Sequence, residues 1–258
     1  MIKIHAAIVG FVLSITPLMS FAHGDAAEGP VALEVSSPAP TGAGKSTLTF
    51  QMIDTAQNKL ISESDLSLSH EAKLHMMIYD PSLKEFQHVH PQMTSAGNAT
   101  WNVEVNFQVN GNYWVWVQGE LASSGESFSA SNRMLVTGAK PAWPETALLD
   151  LRSGEDSNSI VTLGSTTLRA GKMAMLNMVF SHKDGTSPVI TPYLGAVAHV
   201  VATSSDGDVL IHVHPMAGSS ANVGMLHVSF QEAGFYRLWI QFIDNGVLKT
   251  VPLSLEVK

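Results

Sequence analysis

The chain has 258 residues, with 14 basic and 22 acidic side chains, a formal net charge of −8 and no cysteine. This acidic balance argues against binding to nucleic acid or to anionic membrane surfaces. The lack of cysteine excludes disulfides, thiolate zinc sites and the cysteine-ligated blue-copper centre, so any metal must be held by His, Met or carboxylate side chains.

Residues 1–22 have the features of a secretory signal peptide. Lys3 precedes a short apolar run, and Ser20-Phe21-Ala22 forms a small-x-small cleavage site. This pattern predicts cleavage after Ala22. The mature chain would then begin at His23 and be located in the periplasm or outside the cell. The apolar run is too short to span a membrane comfortably, and we expect no membrane insertion of the mature chain.

Residues 23–44 are small, polar and rich in Pro and Gly, which predicts a flexible N-terminal arm. A free N-terminal His23 could chelate copper through its amine and its imidazole, as in a histidine brace. The flexible sequence that follows argues against a built site, so His23 is only an additional candidate ligand.

From residue 45 onward, short runs of alternating apolar and polar residues are separated by turn pairs such as Asn110-Gly111 and Asp206-Gly207. No segment has a sustained helical period. The pattern predicts an all-β protein of two tandem immunoglobulin-like or cupredoxin-like β-sandwich modules, residues 45–138 and 156–258, joined by a linker at residues 139–155.

A duplication supports the two modules. Five positions of the first module recur in the second with a displacement of 123 residues: Phe107, Gly111, Tyr113, Trp116 and Gln118 recur as Phe230, Gly234, Tyr236, Trp239 and Gln241. We expect these aromatic residues, together with Trp114, to form the cores and rims of the sandwiches.

The strongest motif is a histidine signature that occurs twice, displaced by 124 residues. His75 is followed after twelve residues by His88-Val89-His90-Pro91, and His199 by His212-Val213-His214-Pro215. Histidines two apart on a strand project from one face, and each spacer contains turn residues. If the hairpin loop has an even number of residues, the first histidine shares that face; an odd loop or a bulge would turn it away. The pattern predicts one metal site per module: His75, His88 and His90, and His199, His212 and His214.

Three neutral imidazoles suit copper or zinc. Met93 and Met216 follow the two His-x-His-Pro motifs, and a thioether is a soft ligand that favours Cu(I). Copper is therefore the preferred metal, zinc is the alternative, and Met93 and Met216 are additional candidate ligands, although methionine is also an ordinary core residue.

Gln118 and Gln241 each lie two residues after a Trp, where a buried amide needs hydrogen-bond partners. We expect them either to orient a metal-binding imidazole or to be plain strand-end glutamines. His70, His182 and His227 have no repeated context and are predicted to be structural.

A resemblance adds to this pattern. The second module carries Tyr193-Leu194-Gly195-Ala196, the His-x-His-Pro motif and the strand Tyr236 to Phe242. In these features it resembles a widespread, largely uncharacterised group of bacterial secreted or periplasmic proteins, similar in style to YtkA-like, FixH-like and CopC-like domains. The resemblance implies an immunoglobulin-like fold and a role in copper handling or oxidase assembly. Related sequences often carry a His-Thr pair where this chain has Lys249-Thr250; if that His is a ligand in them, this chain lacks a fourth donor.

The sequence thus predicts a non-enzymatic periplasmic protein that binds, buffers or delivers a transition metal, preferably copper, to a metal-accepting or oxidase-assembly protein. Two alternatives remain open. The first is a structural or interaction protein with zinc or no metal. The second is a three-histidine zinc hydrolase or hydratase, which lacks an evident general base near the histidines.

Overall fold

The computed structural model describes residues 30–36, 41–95, 97–138, 140–144 and 148–258. The predicted signal peptide and His23 lie outside the described residues. Within these ranges the only helical segment is a single 3₁₀ turn, Glu63–Asp65, and no helix is long and apolar enough to cross a membrane.

Module 1 is a sandwich of two sheets with the orders β1-β3-β8-β7, where β4 pairs with β3, and β2-β10-β9-β5-β6. Its strands are β1 (Val31–Val35), β2 (Thr41–Gly42), β3 (Gly44–Asp54), β4 (Lys59–Leu60), β5 (Leu74–Tyr79), β6 (Phe86–Val89), β7 (Gln92–Ser95), β8 (Thr100–Phe107), β9 (Gly111–Glu120) and β10 (Ser127–Thr137). The core is formed by every second side chain of each strand. Along β8 the buried residues are Trp101, Val103, Val105 and Phe107, and the residues between them are more exposed.

Module 2 repeats the plan with sheets β11-β12-β13-β18-β17 and β14-β19-β15-β16, where β20 pairs with β19. Its strands are β11 (Ser153–Asp156), β12 (Ser159–Leu163), β13 (Lys172–His182), β14 (Ile190–Thr191), β15 (His199–Ser204), β16 (Leu210–Val213), β17 (Met216–Ala217), β18 (Val223–Phe230), β19 (Gly234–Asp244) and β20 (Val247–Val257).

The strand order identifies the sandwich type. In module 1, β1, β3, β8 and β7 correspond to strands A, B, E and D of an immunoglobulin domain, and β10, β9, β5 and β6 correspond to G, F, C and C′. The prediction of an all-β protein with two tandem immunoglobulin-like sandwiches is confirmed.

Each module also contains a tyrosine corner, a feature of immunoglobulin sandwiches in which a Tyr near the start of strand F bonds back to the preceding turn. The Tyr113 hydroxyl lies 3.1 Å from the Val109 carbonyl oxygen and 2.6 Å from Glu85 Oε2. The Tyr236 hydroxyl donates to the Glu232 carbonyl oxygen at 3.1 Å. Only the first corner therefore also involves a buried carboxyl group.

We expect Tyr113→Phe to destabilise the protein more than the matched change Tyr236→Phe. The second change removes one hydrogen bond, which costs about 1 kcal/mol, whereas the first also removes one of the donors to the buried Glu85 carboxyl, which keeps the Gln108 backbone N–H, for about 1–2 kcal/mol more. Urea unfolding of both variants measures the difference. Equal losses of stability would contradict it.

Two boundary predictions need correction. Residues 23–44 were expected to form a flexible arm, yet β1 pairs along its whole length with β3, and Val31 and Leu33 enter the core. Residues 153–155 were assigned to the linker, but β11 is an edge strand that pairs with β12. In both places a short stretch of alternating residues is stabilised by pairing with a longer neighbouring strand.

The two modules pack against each other through one sheet each. We call β2-β10-β9-β5-β6 and the sheet containing β14, β15, β16, β19 and β20 the facing sheets, and the other two the outer sheets. All six residues of β5 are buried, because its alternate side chains enter the module 1 core and the interface. Trp114, Trp116 and Trp239 were expected in the cores and rims of the sandwiches, and they lie instead in this interface.

Polar contacts fix one end of the interface. The Tyr79 hydroxyl donates to the Gly207 carbonyl oxygen at 2.8 Å, and Arg133 forms an ion pair with Asp208 at 2.6 Å. Arg133 also lies 3.8 Å above the ring of Trp114, whose indole N–H bonds to Asp208. Apolar side chains fill the middle, and histidines occupy the other end.

Candidate metal centre

The β5–β6 hairpin brings the first histidine triad to one face. Tyr79 pairs with Phe86 across an even loop, residues 80–85, and Met77 pairs with His88. His75 lies two residues before Met77 and therefore projects from the same face as His88. The even-loop condition stated from sequence is met in this module.

The β15–β16 hairpin has the equivalent register. Val201 pairs with His212, and Thr203 pairs with Leu210 across the even loop of residues 204–209. His199 lies two residues before Val201 and so shares the face of His212. Both triads thus lie on the facing sheets, which places them at the contact between the modules.

The triads meet in one group of histidines. Ring centroids lie 5.1 Å apart for His88 and His212, 5.4 Å for His75 and His212, and 5.6 Å for His88 and His199. The sequence predicted one site in each module, whereas the structure brings both triads together between the modules. We call this group the histidine cluster: His70, His75, His88, His90, His199, His212 and His214.

Hydrogen bonds to carbonyl oxygens indicate which nitrogen of each central imidazole carries hydrogen. In module 1, the Ser69 backbone oxygen accepts from His75 Nε2 at 3.2 Å, and Gln241 Oε1 accepts from His88 Nδ1 at 2.9 Å. Because a carbonyl oxygen can only accept, these nitrogens are the protonated ones. His75 Nδ1 and His88 Nε2 are then the atoms with free lone pairs.

Module 2 repeats the arrangement. The Tyr193 backbone oxygen accepts from His199 Nε2 at 3.0 Å, and Gln118 Oε1 accepts from His212 Nδ1 at 3.1 Å. Each glutamine therefore bonds a histidine of the other module. In this orientation the other end of each amide is also bonded, since Gln241 Nε2 donates to Thr250 and Gln118 Nε2 donates to Ser129.

The free lone pairs point at each other. His75 Nδ1 lies 3.1 Å from His88 Nε2, and His199 Nδ1 lies 3.2 Å from His212 Nε2. With these tautomers no hydrogen lies between the two nitrogens of either pair, so the contact needs a cation to be favourable. Bonds of about 2.0–2.1 Å to a tetrahedral ion place two imidazole nitrogens about 3.3 Å apart, close to both separations.

Burial keeps these imidazoles neutral. Desolvation lowers the pKa of His75 and of His199 from 6.5 to about 4, and lowers the pKa of His88 and of His212 well below 6.5. Neighbouring histidines add to the effect. A metal would therefore find deprotonated ligands at neutral pH.

His90 and His214 supply further donors, since the Nε2 atom of each is buried without a hydrogen-bond partner. Donor atoms of His75, His88 and His90 all lie within 4.8 Å of one another, as do those of His88, His199 and His212. His88 belongs to both groups and has one free nitrogen, so the two groups compete for it. The described residues thus offer one three-nitrogen site within module 1 and one that crosses the interface.

His70 belongs to the cluster, although the sequence placed it among the structural histidines. Its ring stacks on that of His214 at 3.5 Å, and its own side chain is exposed. It lies in a turn closed by Ser69 and Ala72, with a positive φ of 48°. Leu194 occupies the corresponding turn position in module 2, so the duplication could not mark His70 as a ligand.

The other predicted ligands lie elsewhere. Met93 packs against the module 1 core, and its Sδ accepts a hydrogen bond from the Glu63 backbone N–H at 3.4 Å. Met216 lies on β17 in the outer sheet of module 2 and is 54% exposed. His182 is structural as expected, because its Nε2 contacts Asp244 Oδ2 at 2.6 Å.

Two openings reach the cluster. A cavity of about 350 Å³ is lined by His70, His75, His212 and His214 together with residues of β9 and β10. A wider groove of about 660 Å³ on the outer side of module 1 is lined by His88 and His90. An ion could therefore reach the buried nitrogens without separation of the modules.

We expect Gln241→Leu to weaken metal binding about 10- to 100-fold, because His88 would lose the acceptor that fixes its tautomer. Gln118→Leu should weaken it less, since His212 belongs to only one of the two donor groups. Competition with a chromophoric chelator measures both affinities. A larger effect of Gln118→Leu would contradict the central position of His88.

Comparisons with solved structures give distant likenesses. Among solved structures, the chain is similar to titin A168–A169 with 12% identity, covering 90% of this chain and 97% of that chain at a TM-score of 0.21. It is also similar to titin domains A164–A165 with 11% identity, 89% and 98% coverage and a TM-score of 0.22. Red sea bream transglutaminase matches with 6% identity, 89% and 31% coverage and a TM-score of 0.25. None of these likenesses carries a conclusion about function.

No curated protein matches the sequence significantly. One family does match, over residues 26–133 and again over residues 155–258, which together make up most of the chain. That family has no assigned function, so the resemblance to copper-handling domains stays an expectation. The two matched segments confirm that the chain is a repeat. The protein therefore belongs to the family described as a domain of unknown function, DUF8832, and contains two copies of its domain.

Proposed function

We propose that this protein binds a transition-metal ion, preferably copper, in the histidine cluster and that it buffers or delivers the metal in the periplasm or outside the cell. The observation that carries the proposal is the pair of facing lone pairs on His75 Nδ1 and His88 Nε2, repeated at His199 and His212. Backbone and amide oxygens accept hydrogen bonds from the other nitrogen of each of the four rings, so the remaining nitrogens can present their lone pairs to a metal ion.

The donor set favours Cu(II) among the available ions. All the converging atoms are imidazole nitrogens, and at such a site Cu(II) binds more tightly than Zn(II). The thioether of Met93, which first argued for Cu(I), is engaged with Glu63 and lies in the other sheet. The preference for copper therefore rests on the nitrogen donors alone.

Exchange with a partner is compatible with this geometry. His70 is exposed at the mouth of the cavity and stacks on His214, so it could receive an ion before the buried histidines do. The partner would be a metal-accepting or oxidase-assembly protein that meets the chain outside the cytoplasm. The signal-like residues 1–22 support this location.

Metal content tests the proposal. The chain without residues 1–22 is incubated separately with Cu(II), Cu(I) and Zn(II), desalted and analysed for metal. Bound Cu(II) should give an electron paramagnetic resonance spectrum with nitrogen hyperfine coupling, and both the metal and the spectrum should be lost when His75, His88, His199 and His212 are replaced by Gln. Glu104→Gln is the control, since this exposed residue lies outside the cluster. A parent protein that retains no Cu(II) or Zn(II) would contradict the proposal.

A second candidate is a structural zinc ion that clamps the modules together. It is favoured by the donor group His88, His199 and His212, which includes ligands from both modules. In that case zinc should raise the melting temperature strongly, and copper loaded on the protein should not pass to an acceptor. Transfer of copper to an acceptor of higher affinity distinguishes the first candidate from the second.

A further inference from the structure

The outer sheet of module 2 presents methionines to solvent. Met173 is 69% exposed, Met175 is 55% exposed and Met216 is 54% exposed, and Met225 is half-buried beside them. An exposed histidine, His227, lies among them on β18. We call these five residues the methionine face.

Strand pairing places these side chains together. On β13 and β18, Met175 pairs directly with His227, and on β17 and β18, Met216 pairs directly with Met225. Directly paired side chains have Cβ atoms about 4.5–5.5 Å apart, and diagonal neighbours about 7–8 Å, which long side chains can bridge. Met225 and His227 are two residues apart on one strand and so share this face. Three thioethers and one imidazole thus form a continuous group.

The fold itself does not need these methionines. The alternate residues of β13, namely Ala174, Leu176 and Met178, enter the core of module 2. The outward positions could be polar, and in module 1 they are, because Thr47 pairs with Glu104 where module 2 pairs Met175 with His227. The same sheet in the same fold therefore has a polar outer surface in one copy and a soft-donor surface in the other.

We propose that the methionine face binds Cu(I). Thioethers are soft ligands that select Cu(I), and a neutral set of two or three thioethers with one imidazole has little affinity for Zn(II). Because the donors are exposed, the ion could be exchanged directly with another protein. This site is separate from the histidine cluster, which lies on the facing sheets, and it does not depend on the function proposed for that cluster. It also assigns a role to Met216, which the sequence had grouped with His212 and His214.

The test is an anaerobic titration of the full chain without residues 1–22, using Cu(I) and a chromophoric Cu(I) chelator as competitor. We expect the protein to bind one equivalent of Cu(I) at this face. Its affinity should fall by about 10-fold or more when Met175 and Met225 are both replaced by Leu, and also in His227→Gln. Leu preserves the size and apolar character of Met, so both variants should fold. The matched control is Glu104→Gln on the equivalent face of module 1, which should leave Cu(I) affinity unchanged.

Methyl resonances of methionine locate the ion. Cu(I) is diamagnetic, and its binding should shift the ε-methyl signals of Met175, Met216 and Met225 while those of the buried Met52 and Met178 stay in place. The shifts should persist when His75, His88, His199 and His212 are replaced by Gln. Unmoved signals from the methionine face at saturating Cu(I), or equal affinity in the Leu variant, would overturn the inference. Neither result would bear on Cu(II) binding by the histidine cluster.

Discussion

The single substitution His88→Gln should abolish tight binding of Cu(II) and Zn(II) by the histidine cluster, whereas His212→Gln should leave one such ion tightly bound. His88 belongs to both donor groups, His75 with His90 and His199 with His212. Its Nδ1 is engaged with Gln241, so one nitrogen serves both groups. Loss of this ligand should lower the affinity for Cu(II) or Zn(II) by more than about 100-fold, because even the loss of a group that only orients a ligand lowers metal affinity by about 10- to 100-fold.

The matched pair makes this test sharp. His88 and His212 occupy equivalent positions of the duplicated hairpins and have equivalent hydrogen-bond partners, with His88 buried and His212 half-buried in the interface. Isothermal titration calorimetry of both variants gives affinity and stoichiometry. One tight equivalent in His88→Gln would mean that His199, His212 and His214 close an independent site in module 2, as the sequence alone predicted.

The metal-free protein should lose stability steeply as the pH falls from 6.5 to about 4. Burial lowers the pKa of His75 and of His199 from 6.5 to about 4, and both side chains are almost fully buried. Between these pH values the unfolded chain binds protons that the folded chain excludes, so protonation favours unfolding. Each residue should contribute a loss of about 3 kcal/mol, which is complete below the folded-state pKa.

Urea unfolding in the presence of a chelator, at pH values from 7.5 to 4, measures this loss. The double variant His75→Gln, His199→Gln is the comparison, and its free energy of unfolding should depend less steeply on pH. The carboxyl of Asp65 titrates outside this pH range, because a hydrogen bond from Lys59 lowers its pKa from 3.8 to about 2. The stability that Asp65 contributes is therefore lost only below about pH 4. Equal slopes in the parent and the double variant would show that other groups cause the acid sensitivity.

Much of the fold could be predicted locally. Alternating residues with turn pairs between them indicated short strands, and the displaced copies of Phe107, Tyr113 and Trp116 indicated two modules. The even spacer between His75 and His88 also predicted a shared face on the condition of an even loop, and the structure meets this condition. These features follow from neighbours along the chain or across one hairpin.

The same rules could not indicate what covers that face. Leu74–Tyr79 shows no alternation, a signal that both faces of the strand are buried, but it does not name the second layer. Similarly, the turn at His70 gives no sign that its ring stacks on His214, more than 140 residues later in the chain. Such contacts depend on how the modules pack and not on local spacing.

The sequence by itself determined two tandem β-sandwiches of immunoglobulin-like or cupredoxin-like kind and, for a hairpin loop of even length, a shared face for the histidines of each. Only the tertiary structure decided that the faces pack together, that Gln118 and Gln241 each orient a histidine of the other module, and that His88 is common to two donor groups. The physical reason is that register is set by local backbone pairing, whereas the partner of a sheet face is selected by the burial of large apolar side chains far apart in sequence, such as Trp116 and Trp239.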